Sequence, residues 1–346
     1  MGKEHNKYEE MQTYLSLAGS GDPWSYLSKT RKNILRALHD RIPFNEVASS
    51  FNMTLDELRR ELQPLIDSSL VKEEGNEFLP TFLIVDSEET RLVYEHSREL
   101  GKLLAEIIIS NWSLIQDTFI KLSISKEHSL SDQAFMLVGS RILDIALLGE
   151  LVKDGSLLQA APLRPSLTKP DARYYFWMIE GEAKYLGKYG QEDIDLPWTN
   201  WHILNFGQSS IKGKRNEARD QTEKNYRDLM DSKEAKDSEE FAKLLQIPFL
   251  DEVDSKIWSD FSVKISKLLV ERIKEKKENI ISLFQNLESS KYTNNSFGEF
   301  FCWYIHLVYP WSIDYLIEEQ LITIPPKYYS EIVLYYEEPE GLFAHK

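Results

Sequence analysis

The chain has 346 residues, enough for two domains and a sizeable core, and 42% of it is hydrophobic against 28% charged, the balance of a globular protein. A net charge of −15 excludes a broad, non-specific attraction to nucleic acid or to an anionic membrane, so any nucleic-acid contact has to be local. One cysteine, Cys302, excludes an intrachain disulfide and fits a reducing compartment. No apolar stretch is long enough to span a bilayer, and the charged start MGKEHNKYEE lacks the apolar segment of a secretory signal, so a cytoplasmic location is expected.

The opening segment from Lys3 to Ala18 has Met11, Tyr14 and Leu17 at helical spacing and predicts a short amphipathic helix. Gly19, Gly21 and Pro23 break it, and Asp22 or Ser25 is placed to cap the next one. Trp24, Leu27, Ile34, Leu35 and Leu38 then mark one face of a first long helix, ended by Pro43. A short second helix follows from Phe44, with the small Ala48 where two helices must approach. Asn52 suits a left-handed turn. Thr54 and Glu57 have capping-box spacing, and Leu55, Leu58, Leu62 and Leu65 form the apolar side of a third helix. Ser69-Leu70-Val71 leads into a strand, a Gly75-Asn76 turn and a returning strand to Phe78. Pro80 is tolerable there only at an edge.

The run Glu46-Val47-Ala48, Asn52, Thr54, Leu58, Leu65 and Ser69-Leu70-Val71 resembles the winged helix-turn-helix regulators of the ArsR and MarR type, with Asn52 where glycine is usual. The resemblance covers about sixty residues and implies that the third helix enters the major groove of double-stranded DNA while the wing touches the backbone. It implies roles for Thr54, Arg59, Arg60 and Gln63 at the groove, for Lys72 and Asn76 from the wing, and for Lys29, Arg31 and Lys32 at phosphates. The charge pattern is poor for such a surface: between Trp24 and Val85, eight basic residues stand against nine acidic ones, a net of −1.

From Ser87 to about Leu122 apolar residues recur at threes and fours and predict one long helix, which Gly101 could also split. In the resembled family a helix after the wing commonly builds a homodimer; the plainer reading is a core helix of a second domain. Leu130 to Lys153 predicts a helix apolar around most of its circumference, hence buried, ended by Gly155. A proline-rich connector follows from Ala161 to Pro170. Tyr174 to Ile179 and Trp201 to Phe206 are aromatic and β-branched and predict strands. The mixed-charge stretch from Lys212 to Lys243 predicts a solvated helix or loop. Helices return from Leu244 to Leu287, then from Phe297 to Tyr309, stopped by Pro310, and from Trp311 to Leu321; Tyr328 to Glu337 fits a helix or a strand.

The expected fold class is mainly α: a winged helix-turn-helix followed by a larger helical domain with a small β element. The segments are an extension (1–23), a winged-helix domain (24–86), a connecting or dimerisation helix (87–125) and a sensor or effector domain (126–346).

Familiar enzyme signatures are absent: no glycine-rich phosphate loop, no HExxH, no paired cysteines and no GxSxG. Glu299, Cys302 and His306 share a helix face at metal- or nucleophile-compatible spacing, but their aromatic and aliphatic neighbours favour a buried structural helix; no metal and no cofactor is expected. Tyr175, Trp177, Trp198, Trp201, His202, Trp303, His306 and Trp311 are the residues expected to line an apolar ligand pocket, if they are not simply core. The leading function is a DNA-binding transcriptional regulator whose C-terminal part senses a small molecule or peptide. The alternatives are an interaction protein using its winged helix to bind protein, and an enzyme built on the C-terminal helices.

Overall fold

The computed structural model describes residues 8, 11–75, 77–165, 169–195, 200–208, 221, 224–225, 227–228, 237–245, 247–292, 297–324 and 330–336. The described chain is mostly helical with small sheets.

The expected N-terminal helix is instead a strand, β1 (Thr13–Gly19), paired antiparallel along its whole length with Tyr174–Glu180. An isolated helix that short is marginal in water. A strand partner satisfies the same backbone groups, and Thr13 and Tyr14 favour the extended form. The first helix, α1 (Lys29–His39), begins later than expected, because Ser28 is its N-cap and accepts from the Arg31 N–H at 3.1 Å. Pro43 introduces α2 (Phe44–Ser50). Asn52 takes the left-handed conformation at φ 54°. The capping box opens α3 (Leu55–Asp67): the Glu57 N–H donates to Thr54 Oγ1 at 3.2 Å, and the Thr54 N–H donates to the Glu57 carboxylate at 2.8 Å. β2 (Val71–Glu74) and β3 (Glu77–Pro80) form an antiparallel hairpin beside Gly75, at φ 64°. β4 (Leu83–Val85) follows.

Two helices, α4 (Ser87–Ser110) and α5 (Trp112–Phe119), replace the single one expected. The break falls at Asn111, whose side-chain amide donates to the Ile107 carbonyl at 2.8 Å, a local bond that competes with the helix ladder. Gly101 does not split α4. It is the point of closest approach to the later helix at Val308–Ser312, where a Cβ would sit 2.4 Å from Trp311 Cβ. α6 (Leu130–Ala134) continues through a π-helical section, Phe135–Ala146, into α7 (Leu147–Asp154). Every residue of the π section is buried, and Gly155, at φ 67°, ends the run.

The aromatic segments are strands as expected: β5 (Tyr174–Glu180) and β7 (Trp201–Gln208), with β6 (Tyr189–Asp195) between them. Then come α8 (Ser238–Leu245), β8 (Phe249–Leu250), α9 (Glu252–Lys274), α10 (Lys277–Asn286), α11 (Glu288–Tyr292), α12 (Phe297–Glu318) and β9 (Ser330–Tyr336). α12 runs through Pro310, where a stop was expected. Proline removes the N–H that would serve the His306 carbonyl. The Gly187 backbone, at φ 122°, lies against that carbonyl so closely that a Cβ would come within 2.8 Å of its oxygen.

The chain divides into two compact units. The first gathers Met1–Glu95, Gly155–Leu186 and Lys276–Tyr304. Its sheet has the order β1-β5-β4, with β4 parallel to β5. Its main core joins Ile34, Leu35, Leu58, Leu62 and Leu65 to Tyr174, Phe176 and Met178 of β5. The second gathers His96–Asp154, Gly187–Glu275 and Ile305–Lys346. Its sheet has the order β6-β7-β9-β8. The π section is pinned to α9 by Trp258 Nε1 donating to the Leu137 carbonyl and Ser266 Oγ donating to the Ile142 carbonyl, both at 3.1 Å.

Candidate functional site

The polar face of α3 and the adjoining hairpin form the one surface where most of the expected groove residues meet. Leu58, Leu62 and Leu65 are fully buried, which turns Arg59, Arg60 and Gln63 outward at helical spacing. Thr54 is exposed at the start of α3, but its hydroxyl is engaged with Glu57.

The cations of this surface are mostly neutralised from within. Arg59 forms an ion pair with Glu73 at 3.2 Å, and its guanidinium lies 5.1 Å from the Phe78 ring centroid and 5.5 Å from that of Phe44. Arg31 pairs with Glu61 at 2.9 Å and donates to the Tyr26 carbonyl. Lys72 pairs with Glu74 at 2.6 Å, and Arg41 with Glu77 at 3.2 Å. Gln63 donates to Asp67 at 2.7 Å. Lys29, Lys32 and Arg60 form no ion pair among the described residues; Arg60 only donates to the Asp56 carbonyl of its own helix. Asn76 lies outside the described residues. An open cleft lined by Phe51, Asn52, Met53, Glu57, Arg60 and Glu61 sits at the α2–α3 turn.

Behind this surface α1 is tied to β5 by charge. Arg36, buried, pairs with Asp40 on its own helix and with Glu180 on β5, and the Tyr8 hydroxyl donates to Asp40 at 2.9 Å. His39, buried beside Arg36, is pushed down to about 3 by burial first and by the Arg36 charge second. The sequence carries no sign of this network, because Arg36 and Glu180 lie far apart in the chain.

The expected ligand residues divide between the units. In the first unit Tyr175, Trp177 and Trp303 are buried core. Tyr175 donates its hydroxyl proton to the Gln159 carbonyl, and Trp303 donates its indole N–H to the Tyr185 carbonyl at 2.9 Å. Their polar tips thus serve the backbone, the arrangement expected of aromatics that fill a core. In the second unit Trp201, His202, His306 and Trp311 are half-buried. Trp201 stacks on Phe249 at 4.8 Å, His306 meets Tyr309 edge-on at 5.6 Å, and Arg98 sits 5.2 Å over Trp311. Trp198 lies outside the described residues.

Glu299 and Cys302 are sealed in the first unit. Glu299 forms an ion pair with Arg164 at 2.5 Å and accepts the Phe176 and Leu83 backbone N–H groups. Burial raises its carboxyl to about 7, against the opposing pull of Arg164. Arg164 also donates to the Tyr174 and Thr81 carbonyls, both at 2.7 Å. The pair thus fastens α12 to β4 and β5. Among the described residues no group of three or more His, Cys, Asp or Glu is arranged to hold a metal ion. No described helix is long and apolar enough to cross a membrane.

Compared with known proteins, the chain matches no family model, no curated protein and no solved structure.

Proposed function

We propose that α1 to β3 is a winged helix-turn-helix and that the protein is a cytoplasmic, dimeric transcriptional regulator. It binds double-stranded DNA through α3, and its second unit senses a small molecule or peptide. The observation that carries this reading is the capped, outward-facing α3 followed directly by a hairpin. A helix so placed, with Arg59, Arg60 and Gln63 outward, has the form that enters a major groove, and the hairpin has the form that reaches the adjacent backbone. Ligand and DNA binding are coupled reciprocally in such a protein.

The test is selection of genomic fragments by the purified protein, followed by gel shift on those fragments. Replacing Lys29, Lys32 and Arg60 together by alanine is expected to weaken binding at least tenfold, each phosphate contact adding a salt-dependent increment. Unchanged binding in that triple variant would sink the assignment to this surface.

A second reading is favoured by one observation: Arg31, Arg41, Arg59 and Lys72 each have a carboxylate partner within the same segment. A surface neutralised in this way suits docking of another protein. The double change Glu73→Gln and Glu77→Gln separates the two, since it frees Arg59 and Arg41. DNA binding should tighten several-fold under the first reading and stay undetectable under the second.

A further inference from the structure

β1 is an edge strand: its sheet has the order β1-β5-β4, and β5 is its one partner there. The register with β5 is unbroken from Thr13 opposite Glu180 to Gly19 opposite Tyr174, so no bulge interrupts it. The phase of the ladder follows from its two ends. There the Gly181 N–H donates to the Gln12 carbonyl at 3.3 Å, and the Ser20 N–H donates to the Arg173 carbonyl at 3.1 Å. Hydrogen-bonded pairs alternate with non-bonded pairs along an antiparallel ladder. Tyr14, Ser16 and Ala18 therefore bond to β5, and Thr13, Leu15 and Leu17 turn their N–H and C=O groups away from it.

Nothing among the described residues takes up those outward groups. The turn Ala183–Leu186 passes near β1 without a backbone bond to it. The strand is half-exposed from Thr13 to Ala18 and exposed at Gly19. Water can satisfy its outer groups, so the edge stands alone, but it is also a template for another strand.

Exposed edges are commonly guarded by charge, by proline or by a bulge. The hairpin of the same unit carries Lys72, Glu73, Glu74 and Glu77 and ends in Pro80. β1 has none of these guards, and residues 11–21 carry no charge at all. On a chain of net charge −15, an uncharged edge is where two copies meet with least repulsion. α4, which opens the segment expected to connect or dimerise, instead exposes Arg91, Glu95, Glu99, Lys102 and Glu106. An antiparallel edge is also complementary to itself about a two-fold axis, so a second copy brings the matching strand with it.

We propose that β1 pairs antiparallel with β1 of a second copy of this chain and so makes a homodimer. Outward residues must face outward residues. With Leu15 opposite the partner's Leu15, Thr13 falls opposite the partner's Leu17, and the pairing exchanges about six hydrogen bonds. Leu15 and Leu17 already pack at the margin of the first unit's core, and the same pairing extends that core across the axis. The sheet then runs unbroken through both copies. This interface rests on the proposed function only for the expectation of a dimer; it needs neither DNA nor ligand.

The experiment follows the full-length protein by sedimentation across a concentration series, without DNA, and reads its amide exchange residue by residue. A reversible dimer is expected. The Thr13, Leu15 and Leu17 amides should gain protection as concentration rises, while those of Tyr14, Ser16 and Ala18 stay protected throughout, an alternation that burial alone would not produce. Thr13→Pro removes an outward donor and no bond to β5, and symmetry removes it twice, so the dimer should dissociate roughly 10- to 100-fold more readily. The circular dichroism of that variant should match the wild type's. Wild-type protein that is monomeric at every concentration overturns the proposal and leaves the edge to a strand from another protein. A dimer whose Thr13, Leu15 and Leu17 amides exchange freely overturns it also, as does a folded Thr13→Pro protein that dimerises as tightly as the wild type. If Thr13→Pro does not fold, the wild-type exchange pattern decides. Retained DNA binding alongside any of these failures would leave the DNA assignment standing.

Discussion

Glu299 and His39 lie in the same unit and pull its stability in opposite directions with pH. Glu299 is raised from 4.5 to about 7, so across that window the folded protein keeps a proton that the unfolded chain releases. Its contribution is complete at low pH and is lost as pH rises towards 7. His39 is lowered from 6.5 to about 3, so there the unfolded chain takes up a proton that the folded protein refuses. Its contribution is complete above 6.5 and is lost as pH falls. The two slopes oppose each other between pH 4.5 and 6.5. Urea midpoints followed over that range should therefore change little in the wild type. In Glu299→Gln they should rise steadily with pH, and in His39→Phe they should fall with it. Parallel profiles for the three proteins would mean that neither group is shifted. None of this was legible in the sequence. Glu299 stands out in the sequence for its spacing to Cys302, whereas its partner Arg164 stands in the proline-rich connector, where no local pattern marks it. Local signals did survive: Asn52 takes its left-handed turn, and Thr54 and Glu57 cap each other.

At the scale of elements, two helix details set measurable costs. Thr54→Ala removes the α3 cap and should lower stability by about 1 kcal/mol. A urea midpoint unchanged from wild type would show that α3 needs no cap. Gly101→Ala poses a contest. Alanine is better than glycine in an exposed helix by roughly 1 kcal/mol. At this position the new Cβ would meet Trp311 Cβ at 2.4 Å and the Val308 carbonyl oxygen at 2.8 Å. The clash is against a side-chain root and a backbone atom, neither of which swings away, so overpacking should win with a loss of roughly 1–3 kcal/mol. A stabilised Gly101→Ala would mean that the helices part freely. The helix period was readable where an element buries one clean face, as in α3, and β5, buried at every position, was readable from its aromatic and β-branched run. Such signals failed where tertiary partners decide. β1 became a strand because β5 was available, and α12 passed Pro310 with the Gly187 backbone packed on the His306 carbonyl that the proline leaves without its donor. Asn111, not Gly101, broke the long helix, because a side chain that bonds backward outweighs a glycine locked in a helix crossing.

For the whole molecule, a net charge of −15 leaves DNA attraction to local cations, and on α1 and α3 Lys29, Lys32 and Arg60 have no ion pair among the described residues. If Lys29, Lys32 and Arg60 are the phosphate contacts, the logarithm of affinity should fall against the logarithm of salt with a slope of roughly −3 per bound protomer. A slope twice as steep would mean that Arg31, Arg41, Arg59 and Lys72 leave their carboxylates on binding. Composition did convey the mostly helical class, but not that the first compact unit is assembled from three separated lengths of chain.

That assembly governs the order of events during synthesis. The core above α1 and α3 is closed by Tyr174, Phe176 and Met178, and Arg36 waits for Glu180. On a ribosome the N-terminal helices are finished long before β5 is made, an interval of roughly 5–20 s at typical translation speeds. Through it, β1 has no strand to join and a charged arginine has only half its partners. The same dependence predicts that residues 1–95 expressed alone will be loose and will bind a hydrophobic dye such as ANS, while the full chain will not. A compact, dye-silent fragment would show that the nascent helices need no later strand.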